Sequence, residues 1–151
     1  MQDSPGPLRA KGAYDVLTLR ASAATAVGAI SGTTGSAVYL PRPENGITFI
    51  LDVTAAATDV GDTLDITIQT IIDGTNWVDV CAFTQCLGNG GAKRHIGKIS
   101  TATAQAMYEV ATALTAGNIR HIFGDAYRVK TTQVDADSDA SFTFAVFAVV
   151  C

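Results

Sequence analysis

Charge is the scarcest resource in this sequence. Only 16% of its 151 residues are Asp, Glu, Lys or Arg, and the ten Lys and Arg against fourteen Asp and Glu leave a formal net charge of -4. A polyphosphate partner needs clustered cations to release its counterions, so nucleic acid is excluded as an expected partner. No run is long enough and apolar enough to cross a bilayer, and MQDSPGPLRAKG lacks the apolar core of a signal peptide, so no membrane association is expected and synthesis in a cytoplasm is. Three cysteines, Cys81, Cys86 and Cys151, form an odd set that does not describe a secreted disulfide framework. Their spacing contains no CxxC, and His95 and His121 complete no familiar ligand set, so neither a metal nor another cofactor is predicted.

What the chain does have is apolar content, 48% of residues, set among Thr, Ser and Gly. That balance argues against disorder and suits half-buried pleated surfaces. At this length one domain can bury a core without staples. The plainest signal lies in Asp62 to Thr84. Leu64, Ile66 and Ile68 alternate with Asp65, Thr67 and Gln69, the period of a strand with one buried face. Asp73-Gly74 supplies a turn tolerant of positive φ, and a second β-prone run opens at Trp77, so the segment reads as a hairpin.

Residues 1–13, with Pro5, Gly6, Pro7 and Gly12, read as an extended N-terminal arm, and residues 14–151 as a single domain. Tyr14 to Ala21 alternates as a strand, Ala23 to Ser36 reads as a loop of weak strand character, and Ala37 to Leu40 is a short strand stopped by Pro41 and Pro43. Ile47, Phe49, Leu51 and Val53 alternate with Thr48, Asp52 and Thr54, Ile50 being the lone apolar residue on the polar side; this strand is expected to pair beside the hairpin. Leu87 to Gly97 reads as a loop carrying the basic residues Lys93, Arg94 and His95. Residues 100–114 fit both a helical stripe and a strand face, and the β-rich surroundings favour strand. Arg120 to Phe123, Tyr127 to Val134 and Ser141 to Val150 complete the strands. In the last, Phe147, Val149 and Val150 make both faces apolar, as expected of a strand buried twice or covered by another chain. The sum is an all-β chain of about seven to nine strands, an antiparallel β-sandwich of jelly-roll-like topology.

No constellation for catalysis emerges. G-x-S-x-G is absent, and Gly88, Gly90 and Gly91 lack the lysine and helix start of a phosphate cradle. The spacing Asp135-Ala136-Asp137-Ser138-Asp139 resembles the opening of a calcium loop, but Ala140 stands where the loop should turn on glycine and no glutamate follows, so a solvated turn is the reading. Asp59, Asp62 and Asp65 could suggest paired carboxylates, yet alternation turns them to solvent. Trp77, Tyr108 and Tyr127 could stack on a sugar, although a Trp beside a turn is more often core or interface.

The pattern L-D-I-T-I-Q at Leu64 to Gln69, D-G-T-N-W at Asp73 to Trp77 and F-T-Q at Phe83 to Gln85 resembles small β-sandwich virion proteins of tailed bacteriophages. Tyr127-Arg128-Val129-Lys130 and Ser141-Phe142-Thr143-Phe144-Ala145-Val146 are similar to the last two strands of that group, although Asp135 to Ala140 stands where a Gly-Thr-Pro-type turn would be expected. The resemblance spans about residues 47–150 and implies a non-enzymatic structural part of a phage particle, a capsid decoration or cement protein, with a head-to-tail or tail component as the nearest variant. It implies the major capsid protein or other virion subunits as partners, a homo-oligomer, no small-molecule substrate, and a place on the capsid surface. The contact residues expected on this reading are Leu8, Arg9 and Lys11 in the arm, Lys93, Arg94 and His95 in the basic loop, and Phe147 and Val149 in the last strand. A glycan-binding module is the rival from another class.

Overall fold

The computed structural model describes residues 15–103 and 106–151. The arm expected at 1–13, with Leu8, Arg9 and Lys11, lies outside them. Among the described residues eleven strands follow one another: β1 Asp15–Ala24, β2 Ile30–Thr34, β3 Val38–Tyr39, β4 Gly46–Ala55, β5 Thr63–Ile71, β6 Trp77–Ala82, β7 Cys86–Leu87, β8 Lys93–Ser100, β9 Asn118–Ile119, β10 Ala126–Val134 and β11 Thr143–Val150. All ladders are antiparallel. They form a four-stranded sheet ordered β1-β11-β4-β8 and a second sheet ordered β2-β10-β5-β6-β9, with β3 pairing β10 and β7 pairing β5 at their ends.

The eight strands of five residues or more carry the topology. Counted in chain order, the first pairs the eighth, the second the seventh, the third the sixth and the fourth the fifth. This is the jelly roll: one long hairpin, doubled and rolled so that alternate rungs fall in opposite sheets. Its tip is the β5–β6 turn. There Gly74 takes φ +79°, and the Asp73 carboxylate accepts the backbone N–H groups of Thr75 and Asn76 at 2.9 and 2.6 Å. Asx capping of this kind substitutes for a backbone turn bond and fixes the register of the two strands.

The core fills from period-2 faces of both sheets. Ile47, Phe49, Leu51 and Val53 of β4 with Phe144, Val146 and Ala148 of β11 meet Leu64, Ile66 and Ile68 of β5 and Tyr127 and Val129 of β10, all buried. A buried polar knot closes one end. Gln133 accepts from Thr25 Oγ1 at 2.6 Å and donates to the carbonyls of Gly28 (2.6 Å) and Ala140 (2.9 Å), while Phe142 N–H donates to Thr25 Oγ1 at 3.0 Å. Gln133 is thus 2% exposed yet satisfied.

Several expectations need correction. β4 does not pair beside the hairpin: its neighbours are β11 and β8, because the 56–62 segment carries the chain across to the other sheet. The loop expected at 87–97 becomes β8 from Lys93 onward, and the 23–36 loop contains β2. The signal for β8 is weak because one inward position is Gly97, where a Cβ would lie 2.6 Å from Cys81 Sγ; close packing leaves no room for a bulky inward residue. The described part of 101–114 is neither strand nor helix, and no strand forms at 120–123, the two-residue β9 ending just before it at Ile119. The 106–117 segment instead lies over the outside of the second sheet, where Leu114 N–H donates to Asp79 Oδ2 at 3.0 Å and Arg120 donates to the Thr112 carbonyl at 2.8 Å.

Candidate functional site

Register places the outward residues of the four-stranded sheet in rows. One row is Thr18, Phe147, Ile50 and Ile96, and the next is Val16, Val149, Thr48 and Lys98. Directly opposed side chains of antiparallel strands share a face, so these rows form one surface. Ile96 is 68% and Val16 63% exposed, with Ile50, Phe147 and Val149 half-buried between them. The lone apolar residue on the polar side of β4 is therefore the middle of an apolar stripe. At its rim Arg94 makes a two-pronged ion pair with Asp52 of the next strand, Nε to Oδ1 at 3.3 Å and Nη2 to Oδ2 at 3.0 Å. The carboxylate holds the guanidinium's proton more tightly than usual by this bonding and its charge.

The expected contact residues are thus partly brought together. Phe147, Val149 and Arg94 lie on one face, joined by Ile50, Ile96 and Val16, which sequence reasoning did not nominate. Lys93 and His95 alternate away from them. Lys93 is exposed opposite Val53, and His95 turns inward opposite Leu51, its Nε2 buried without a hydrogen-bond partner among the described residues. The basic loop is hence no single patch, since a strand sends successive side chains to opposite faces. β8 is also a sheet edge, with β4 its only ladder partner among the described residues.

The aromatic residues weighed for sugar stacking are differently placed. Tyr127 is 1% exposed and lies in the core. The Arg128 guanidinium sits 4.1 Å from the Trp77 ring centroid, and that of Arg120 5.3 Å from Tyr108. Each of these two rings gives one face to a cation of its own chain. A cleft between β1 and β2, about 430 Å³ in volume, is lined by Leu19, Arg20, Ile30, Thr33, Val129 and Thr131 among others. Arg20 is partly spent there, bonding the Phe144 carbonyl and stacking over the Phe144 ring at 3.8 Å.

The carboxylates depart most from expectation. Asp62 does not face solvent: it is fully buried. Its Oδ1 accepts Ala136 N–H at 2.9 Å, and its Oδ2 is buried with no partner among the described residues. Asp65 goes elsewhere, accepting from Gln85 at 2.8 Å. Asp59, Asp62, Asp137 and Asp139 each bring a carboxylate oxygen within 4.8 Å of the others. Hydrogen bonding with Asp137 and the charge of that carboxylate raise the pKa of Asp59, and hydrogen bonding with Asp139 raises that of Asp137. Asp135 stays outside the group. Burial would raise its pKa, but backbone N–H groups of Ala140, Asp137, Ser138 and Asp139 hold it below the usual value and shape the loop.

All three cysteines are free. Burial pushes the Cys81 thiol up to about 12 and, with the Asp65 charge, that of Cys86 up to about 11. Neither offers a thiolate near neutrality. A thiol reagent at pH 8 is expected to titrate the half-exposed Cys151 in the native protein, and Cys81 and Cys86 only in denaturant. Rapid labelling of all three in the native state would contradict this burial.

Comparison of the chain with protein-family models, curated proteins and solved structures found no match. The class is therefore set by fold and surface: a jelly-roll sandwich with an apolar stripe crossing the outside of one sheet.

Proposed function

We propose that this is a non-enzymatic structural protein of a bacteriophage particle, a capsid decoration or cement protein whose work is to bind other virion subunits. The observation that carries the binding role is the outer stripe of Val16, Ile50, Ile96, Phe147 and Val149, with Lys98 and the Arg94–Asp52 pair at its rim. An apolar centre with a polar border is the anatomy of a protein interface. The virion assignment rests on the resemblance of the β5–β6 hairpin and the last two strands to small phage β-sandwich proteins. Jelly rolls recur in viral capsids and in lectins alike, so the fold is compatible with the assignment and does not select it. A subunit of this kind stabilises a shell by mass action, binding the assembled form and not its parts.

The test is co-sedimentation of the purified protein with intact heads of the phage that encodes it. Stoichiometric binding is expected, and Ile96→Lys, which puts a charge on an exposed position of the stripe, should weaken it by about 30-fold or more, the scale of a lost hot-spot contact, while leaving the melting temperature nearly unchanged. Absence of head binding together with sugar binding by the isolated chain on a glycan array would sink the reading in favour of the lectin-like rival.

A further inference from the structure

We propose that the loops bearing Asp59 and Asp62, before β5, and Asp137 and Asp139, between β10 and β11, form a calcium-binding site. Four carboxylate oxygens, one from each residue, lie within 4.8 Å of one another. Calcium holds oxygen ligands at about 2.3–2.6 Å, so oxygens on opposite sides of the ion stand about 4.6–5.2 Å apart. The spacing suits that ion.

Clustered acids alone would mean little, since exposed carboxylates often gather without a ligand. Asp62 is the different observation. It is fully buried, one oxygen is bound to Ala136 N–H, and the other belongs to a carboxylate in the cluster and has no donor among the described residues. A buried carboxyl oxygen without a partner is costly, and a cation coordinated there removes the cost.

Packing also brings the two loops unusually close. A Cβ on Gly61 would lie 2.8 Å from Ala136 Cβ, and one on Gly88 would lie 1.9 Å from the Asp59 carbonyl oxygen. Gly88 N–H donates to the Asp62 carbonyl at 2.8 Å, and Asn89 N–H to that of Ala57 at 2.6 Å, gripping the first loop from outside. The Asp135–Asp139 run lacks a closing glutamate of its own. Asp59 and Asp62 supply the missing oxygens from the neighbouring loop, which the β5–β10 pairing of Thr63 with Val134 sets beside it. Irregular loops and several negative ligands favour calcium over magnesium, which demands tighter octahedral geometry and keeps its waters.

The experiment is isothermal titration of the chelator-treated full chain with calcium chloride, paralleled by thermal melting. One ion per chain is expected, with a melting temperature higher by about 5 °C or more at a hundredfold excess over Kd. Asp137→Asn combined with Asp139→Asn, both at exposed positions, should lose both effects, while the metal-free melting temperature stays level or rises as like charges are removed. Asp62→Asn keeps an acceptor for Ala136 N–H but replaces the free oxygen, and should weaken binding at least about tenfold, the lower end of what losing even a group that only supports the ligands costs. Asp65→Asn should bind as the parent does. No heat and no melting shift at about 10 mM calcium, far above the Kd range of known calcium modules, would overturn the proposal. So would an undiminished shift in the Asp137/Asp139 double variant, or equal binding of magnesium chloride.

Discussion

Phe49→Ala is expected to lower the unfolding free energy by about 3–5 kcal/mol, a large share of the about 5–15 kcal/mol that a domain possesses. Phe49 is fully buried on β4, and its ring stands 5.7 Å from that of Tyr127, tilted by 51°, across the space between the sheets. Truncation removes the transfer energy of the ring and leaves a cavity that two hydrogen-bonded sheets cannot collapse to fill. The adjacent Ile50 is the internal control, because it points to the half-exposed outer stripe. Ile50→Ala should cost less than about 1.5 kcal/mol, for it leaves no enclosed cavity. Urea denaturation of both variants checks the pair. Equal losses would mean that β4 does not divide its faces between core and surface as described.

Asp79→Ala should cost about 2–4 kcal/mol and loosen one segment in particular, since it strips partners from buried donors. Asp79 is 6% exposed on the outside of β6. Its Oδ1 accepts from Gln69 Nε2 at 2.8 Å, and its Oδ2 from Leu114 N–H at 3.0 Å. Gln69 in turn accepts from Arg128 Nε at 2.9 Å, and the Arg128 guanidinium covers Trp77. Alanine leaves the Leu114 amide and the Gln69 amide group unpaired, and the 106–117 segment loses a principal tether to the sheet. Hydrogen–deuterium exchange should therefore accelerate across 106–117 well before it does in β5 or β10. Unchanged protection there would show that the segment is held by other contacts.

The two variants also mark how far the sequence could be read. Phe49 was legible as core because its neighbours alternate, and the Asp73-Gly74 turn was legible because its residue types serve a local bond. Asp79 was not, because β6 is buried on both faces and its outer cover comes from a segment without period. β8 was missed for a related reason: Gly97 occupies an inward position where apolar bulk would have announced a strand. Of the expected contact residues, Phe147, Val149 and Arg94 share a face with Ile50, Ile96 and Val16 only because four strands fall into register. The acidic pairing of Asp59 and Asp62 with Asp137 and Asp139 has the same origin.

By itself the sequence determined the all-β class, the principal strands and the hairpin that forms the tip of the rolled ribbon. Those depend on alternation and turn chemistry, which act over a few residues. Only the tertiary structure decided which strands share a sheet, which apolar residues stay outside, and that a buried aspartate meets three others across two loops. These depend on partners far apart in the chain, and period-2 patterning gives a strand its buried face without naming the neighbour against which it pairs.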